Sequence, residues 1–166
     1  RGVFQPAFEA YGGLAGFIDY GPVGVRMRRR ILEVWRDHYV INAGCLECIM
    51  LNDKGEVCEA SGDNIFIVSN NIIKTPPVNS GALVGLTRNK VLELASANKY
   101  EVSEETISRY DLYTADEVFL TGTAAEIISV VEIDKRSIGC GKPGLVTKEL
   151  SLLYSDYAKV SGIPFD

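Results

Sequence analysis

From residue 41 onward the chain alternates short apolar runs with turn-forming residues, the texture of strands joined by tight connections. Leu46–Leu51 is the first strand candidate, Asn52-Asp53-Lys54-Gly55 has the chemistry of a hairpin turn, and Val57–Ala60 returns. After a kink at Ser61-Gly62, Asn64–Val68 follows. Asn70-Asn71 turns the chain into Ile72–Thr75, and Pro76-Pro77 ends that strand. This spacing predicts an antiparallel meander. Over Thr87–Tyr100 the period lengthens, with Val91, Leu92, Leu94 and Ala95 predicting an amphipathic helix. Tyr100–Ile107 reads as a strand, and Ser108 with Asp111 as the cap of a short helix ending at Ala115. Glu117–Thr121 and Ile127–Ile133 are strands flanking a turn at Gly122. Leu145–Val160 is a last helix, apolar at Leu145, Leu150, Leu153 and Tyr157.

The first forty residues have a different pattern. Gly12, Gly13, Gly16, Gly21 and Gly24 stand among Phe17, Tyr20 and Pro22, which predicts a loop or hairpin. Val25–Val40 then reads as a helix, with Met27, Ile31, Trp35 and Tyr39 at a steady spacing of four and Arg26 and Arg28–Arg30 on its solvated side. Charge divides in the same place. Residues 1–40 carry six Arg and four acids, a net of +2, which leaves −7 of the total of −5 for the remainder. That balance argues against a general nucleic-acid binder.

A chain of 166 residues, 46% hydrophobic, suits one domain or one lobe of a larger enzyme. No apolar run has the length to span a bilayer and no secretory leader is visible; without an initiator Met, the true N-terminus is expected elsewhere. Cys45-Leu46-Glu47-Cys48 has CxxC spacing. A zinc site would need a second close pair or a histidine pair, and the single histidine is His38. A redox pair would open a helix, whereas this segment reads as a strand. No metal is expected, and Cys45, Cys48, Cys58 and Cys140 suit free thiols in a reducing cytoplasm.

Three stretches could carry chemistry. Glu59 ends a strand before a glycine-containing turn, where a carboxylate can stand at the rim of a site or can simply face water. Gly85-Leu86-Thr87-Arg88 opens a predicted helix, whose unpaired amides and dipole favour an anion; Thr87 can add a hydroxyl donor or merely cap the helix. Gly122-Thr123 is a second nest of amides, between two strands.

Taken in order, Glu59-Ala60-Ser61-Gly62-Asp63-Asn64-Ile65-Phe66, Gly85-Leu86-Thr87-Arg88 and Thr121-Gly122-Thr123-Ala124-Ala125-Glu126 resemble the motifs of fold-type IV, pyridoxal-phosphate-dependent aminotransferases, most closely the branched-chain amino acid aminotransferases. The resemblance runs from Ile41 to about Phe165. It implies an α+β lobe, a mixed sheet curled into a pseudo-barrel with outer helices. It also implies pyridoxal 5′-phosphate as cofactor, with Glu59 at the ring nitrogen and Leu86, Thr87 and Thr123 at the phosphate. The Thr123–Ala124 backbone would hold the substrate carboxylate. The implied reaction is amino transfer between a branched-chain amino acid and 2-oxoglutarate, in a homodimer. A D-amino acid aminotransferase or an aminodeoxychorismate lyase is the nearest alternative within the family.

Residues 1–40 are instead similar to the start of the catalytic domain in archaeal and eukaryotic-type glycyl-tRNA synthetases, including the first class II motif, a dimer-interface element. The later motifs, whose arginines hold ATP, have no counterpart after Val40. The aminotransferase family places its Schiff-base lysine upstream of the Glu59 motif, and here that region contains no lysine; the first in the chain is Lys54. The expectation is a chain without transaminase activity by itself. The alternatives are a catalytically dead cofactor-binding or scaffold protein and a synthetase-derived fusion module that dimerises or faces RNA.

Overall fold

The computed structural model describes residues 4–6, 18–20, 22–36 and 47–161. The chain forms two compact units, Arg1–Leu46 and Glu47–Asp166. In the first, β1 (Phe4–Pro6) pairs antiparallel with β2 (Ile18–Tyr20), while Gly12, Gly13 and Gly16 of the expected loop or hairpin lie outside the described residues. The helix α1 (Pro22–Arg36) follows. It starts ahead of the expected Val25 because proline, with its fixed φ and no amide hydrogen, suits a first helical position. Its expected end at Val40 lies outside the described residues. Met27 and Ile31 are exposed, as are Arg28–Arg30.

The second unit opens with β3 (Ile49–Leu51) and β4 (Val57–Ala60), an antiparallel ribbon. Asn52 organises its turn: its Oδ1 accepts from the amides of Lys54 and Glu56, and the Gly55 amide donates to its carbonyl. Then come β5 (Asn64–Ser69), β6 (Ile72–Thr75), α2 (Leu86–Ala97), β7 (Glu101–Glu104), α3 (Arg109–Thr114), β8 (Glu117–Gly122), β9 (Glu126–Val130), the small β10 (Glu132–Ile133) and β11 (Arg136–Ser137), and α4 (Leu145–Val160). Five strands make one sheet in the order β7-β6-β5-β8-β9. The expected α+β fold, a mixed sheet with helices against it, is present.

The pairing differs from a simple meander in two ways. β4 pairs with β3 alone, and β7 lies parallel to β6. A parallel neighbour needs a long crossover, and α2 supplies it between Pro76-Pro77 and Glu101. The β5–β6 turn is as expected: Asn70 and Asn71 both have positive φ, the signature of the two-residue turn that matches strand twist. The strand expected over Ile127–Ile133 breaks after Val130, and its end pairs locally with β11. Cys45 and Leu46 lie outside the described residues, and the first strand of this unit begins at Ile49.

Alternation along β5 and β8 builds two cores. Ile65, Ile67, Val118 and Leu120 point to one face, where Val57 and Ala60 of the ribbon, Leu112 of α3 and Ile138 cover them. Phe66, Val68 and Phe119 point to the other, against Val91 and Ala95 of α2 and Leu150 of α4. Phe66 and Phe119 are register partners whose rings stack at 4.9 Å. Burial on both faces explains why β5 reads as a continuous apolar run. Ser108 and Asp111 form the reciprocal capping box of α3, as expected. No helix among the described residues is long and apolar enough to cross a membrane.

Candidate functional site

Glu59 is half-buried in β4, and its carboxylate is held in one orientation. The Leu83 amide donates to Oε2 at 2.8 Å and Asn64 Nδ2 donates to the same oxygen at 3.2 Å. Asn64 Nδ2 also donates to the Leu83 carbonyl at 2.9 Å. Oε1 takes no donor among the described residues. The Ser61-Gly62 kink that separates Glu59 from β5 is fastened by Glu47, which accepts from the Ser61 hydroxyl and, at 3.0 Å, from the Gly62 amide.

Asp63 and Asn64, where the chain enters β5, each reach a glycine turn. A Cβ at Gly85 would overlap Asn64 Oδ1, and a Cβ at Gly122 would overlap Asp63 Oδ1. The three predicted stretches therefore meet at one corner of the sheet, with residues 63–64 between the two turns. In the sequence, Asp63 and Asn64 stand within the first motif with no part assigned to them. Their contacts lie far along the chain, and the signal pointing to them is the pairing of a polar residue with each glycine.

The start of α2 is built to receive an anion. Its N-cap is Gly85, with no side-chain cap, and the first helical bond runs from the Asn89 amide to the Gly85 carbonyl at 3.0 Å. The amides of Leu86, Thr87 and Arg88 therefore have no partner within the helix. At α4 the protein fills the equivalent position itself. Glu117 of β8 accepts from the amides of Val146 (3.0 Å) and Thr147 (2.8 Å) and from the Thr147 hydroxyl (2.7 Å). Among the described residues no carboxylate does this for α2.

The individual side chains refine the picture. Leu86 is 83% exposed, so its contribution to the corner is its backbone. Thr87 is buried and does not cap the helix; its hydroxyl lies 3.3 Å from that of Tyr154 on α4. Arg88 is buried too, but it points away from the corner, donating to the Pro76 carbonyl at 3.0 Å and pairing with Glu104. It anchors the first turn of α2 to the ends of β6 and β7. Thr123 and Ala124 are exposed in the β8–β9 turn, which makes the corner an open rim. Thr121, the register partner of Asn64, has a buried hydroxyl with no partner among the described residues. A separate concavity of about 420 Å³ lies between the β3–β4 turn and Asn79–Gly81, and none of the predicted site residues lines it.

Burial, and then Glu59, Glu56 and Asp53, push the Cys58 thiol up, so it stays neutral and donates to the Ser80 carbonyl. Lys74 pairs with Glu105 at 2.6 Å, while Lys90 pairs with Glu93 and lies over the Tyr157 ring at 4.5 Å. Lys54, Lys99 and Lys135 stand in turns between other elements. The corner thus offers a fixed carboxylate, an uncapped helix start and a second glycine turn, which together fit a phosphorylated pyridine.

The class IV aminotransferase family model matches residues 24–133. A Methanocaldococcus jannaschii relative is 50% identical over 121 residues, 73% of this chain and 42% of that one. The branched-chain-amino-acid aminotransferase of Pseudomonas aeruginosa is 45% identical over 116 residues, 70% of this chain and 38% of that enzyme. Among solved structures, the branched-chain aminotransferase of the thermophilic archaeon Thermoproteus uzoniensis with norvaline superposes with a TM-score of 0.69 at 39% identity, covering 74% of this chain and 40% of that one. The chain thus spans less than half of the length of these relatives. With motif order, fold and sequence in agreement, the chain belongs to the class IV aminotransferase family.

Proposed function

We propose that residues 47–161 form the cofactor-holding lobe of an aminotransferase, binding pyridoxal 5′-phosphate at the corner of Glu59, Gly85–Thr87 and Gly122–Ala124. The observation that carries this reading is the uncapped start of α2 beside a carboxylate with one oxygen accepting from two donors and the other unengaged among the described residues. The cofactor, when bound, supplies an electron sink for proton removal at the carbon bearing an amino group. Glu59 Oε1 keeps a proton on the pyridine nitrogen. The amides of Leu86 and Thr87 and the Thr123 side chain bind phosphate oxygens through charge-assisted hydrogen bonds. The Thr123–Ala124 backbone receives the substrate carboxylate. Relatives named as branched-chain amino acid aminotransferases support amino transfer from a branched-chain amino acid as the parent reaction; 2-oxoglutarate as the acceptor and a homodimer as the assembly are part of our proposal.

That reaction uses a lysine at the substrate carbon. Residues 1–46 contain none, Lys74, Lys90 and Lys159 are engaged by acidic partners, and none of the eight lysines stands in a motif that matches the family's. In our reading this chain holds the cofactor non-covalently and does not turn over by itself. The test pairs binding with turnover. Equilibrium dialysis against pyridoxal phosphate is expected to show one saturable site per chain. Glutamate formation from leucine and 2-oxoglutarate is expected to match a protein-free cofactor control. Loss of the site in otherwise folded protein would remove the functional reading, and turnover well above the control would remove the claim of inactivity.

A further inference from the structure

Asn64 touches both halves of the corner. It is 5% exposed, so its amide must find partners inside the protein. The NH2 group donates to Glu59 Oε2 and to the Leu83 carbonyl, while the Leu83 amide donates to that same Oε2. These contacts close a ring of three residues around one carboxylate oxygen. Two donors on Oε2 restrain rotation of the carboxylate, while Oε1 takes no donor among the described residues. The other end of the amide, Oδ1, packs where Gly85 lacks a Cβ, directly before the first amides of α2. Any residue larger than glycine at 85 would overlap the Asn64 Oδ1 and require a shift there.

We propose that Asn64 is a positioning residue that aims the Glu59 carboxylate and fixes its distance from the anion-binding start of α2. This rests on the reading of the corner as a site for a phosphorylated pyridine. The planar ring of such a ligand fixes the direction from its nitrogen to the carbon that bears the phosphate arm, so a carboxylate aimed at that nitrogen must be oriented relative to the start of α2. A buried amide bridging them does that without entering the site. Aspartate has the shape of asparagine but no donor. At position 64 it would set a second carboxylate against Glu59 and leave the Leu83 carbonyl without its partner.

The test uses the full chain and two probes, pyridoxamine 5′-phosphate and benzyl phosphate, which share a phosphate on a ring-bound methylene; only the first has a ring nitrogen, together with hydroxyl, methyl and aminomethyl groups. The change in their affinity ratio on Glu59→Gln measures the Glu59 contact. The chains compared are the parent, Asn64→Asp, Glu59→Gln and the double variant, each checked for folding by near-UV circular dichroism. Asn64→Asp is expected to lower the ratio by roughly tenfold or more, the worth of a charge-assisted hydrogen bond, with little change in benzyl phosphate binding. The double variant should fall no further than Glu59→Gln, because both substitutions remove the same contact. Equal weakening of both probes, or effects that multiply in the double variant, would overturn the positioning role. Should Asn64→Asp fail to fold, Gly85→Ala approaches the same amide from the other side. It is expected to lower the ratio too, and an unchanged ratio there also overturns the proposal. If the folded parent chain binds no pyridoxamine phosphate, the functional reading falls and the positioning role with it. If it binds with a ratio insensitive to these substitutions, the positioning role alone falls.

Discussion

Thr123 is exposed in the β8–β9 turn, and its hydroxyl is assigned to the phosphate. Thr123→Val keeps the shape and removes the hydroxyl, so pyridoxal phosphate binding should weaken by about 1–2 kcal/mol in a calorimetric titration. Tyr100 makes a prediction away from the corner. Its hydroxyl donates to Glu149 at 2.7 Å, and this bond, then burial, pushes its pKa up to about 12. The unfolded chain releases that proton near pH 10, so the folded form keeps it over the interval between. The Tyr100 contribution is fully present below about pH 10 and is lost as pH rises toward 12. Tyr100→Phe should flatten the fall in urea midpoint across that range; an unchanged slope would mean the Glu149 bond does not persist in solution. The place of Glu59 near a strand end before a kink was legible in the sequence because that pattern is local. The parts played by Asn64 and Asp63 were not, because a glycine's missing Cβ has meaning only once the chain that fills its place is known.

Elements were read more completely than their pairing. The α4 helix spans the residues its apolar spacing predicts, and α3 has the cap its Ser108 and Asp111 predict. Those signals lie within one or two turns of chain. Whether β7 joins β6 parallel or antiparallel is decided by how α2 crosses the sheet, which no local pattern encodes. Capping is also partly non-local. Sequence pattern does not reveal that Glu117, in a strand, supplies the carboxylate for α4, or that a Cβ at Gly144 would overlap it. Glu117→Ala removes three acceptor contacts and should lower unfolding free energy by about 1–2 kcal/mol, measured by urea denaturation. Glu117→Gln retains the acceptor oxygen and should lose less. Equal losses would mean that carboxylate charge, and not geometry, holds the helix start.

At the scale of the whole molecule, the unit Glu47–Asp166 contains both apolar cores and all the residues assigned to the corner. A chain of residues 47–166 should therefore fold by itself, giving a cooperative melt by circular dichroism and binding pyridoxal phosphate as the full chain does; a non-cooperative melt would show that the two cores do not suffice. The position of β5 has a consequence for how such a protein fails on heating. It is the central strand of five and is covered on both faces, so its amides should exchange with deuterium only when the entire unit opens. Binding sites on surface loops commonly soften well below the melting temperature. Here the two residues that brace the corner, Asp63 and Asn64, lie at the entry to the slowest-exchanging strand. Ligand affinity and near-UV signal should accordingly disappear together in a thermal ramp, so that the corner works until the fold itself gives way.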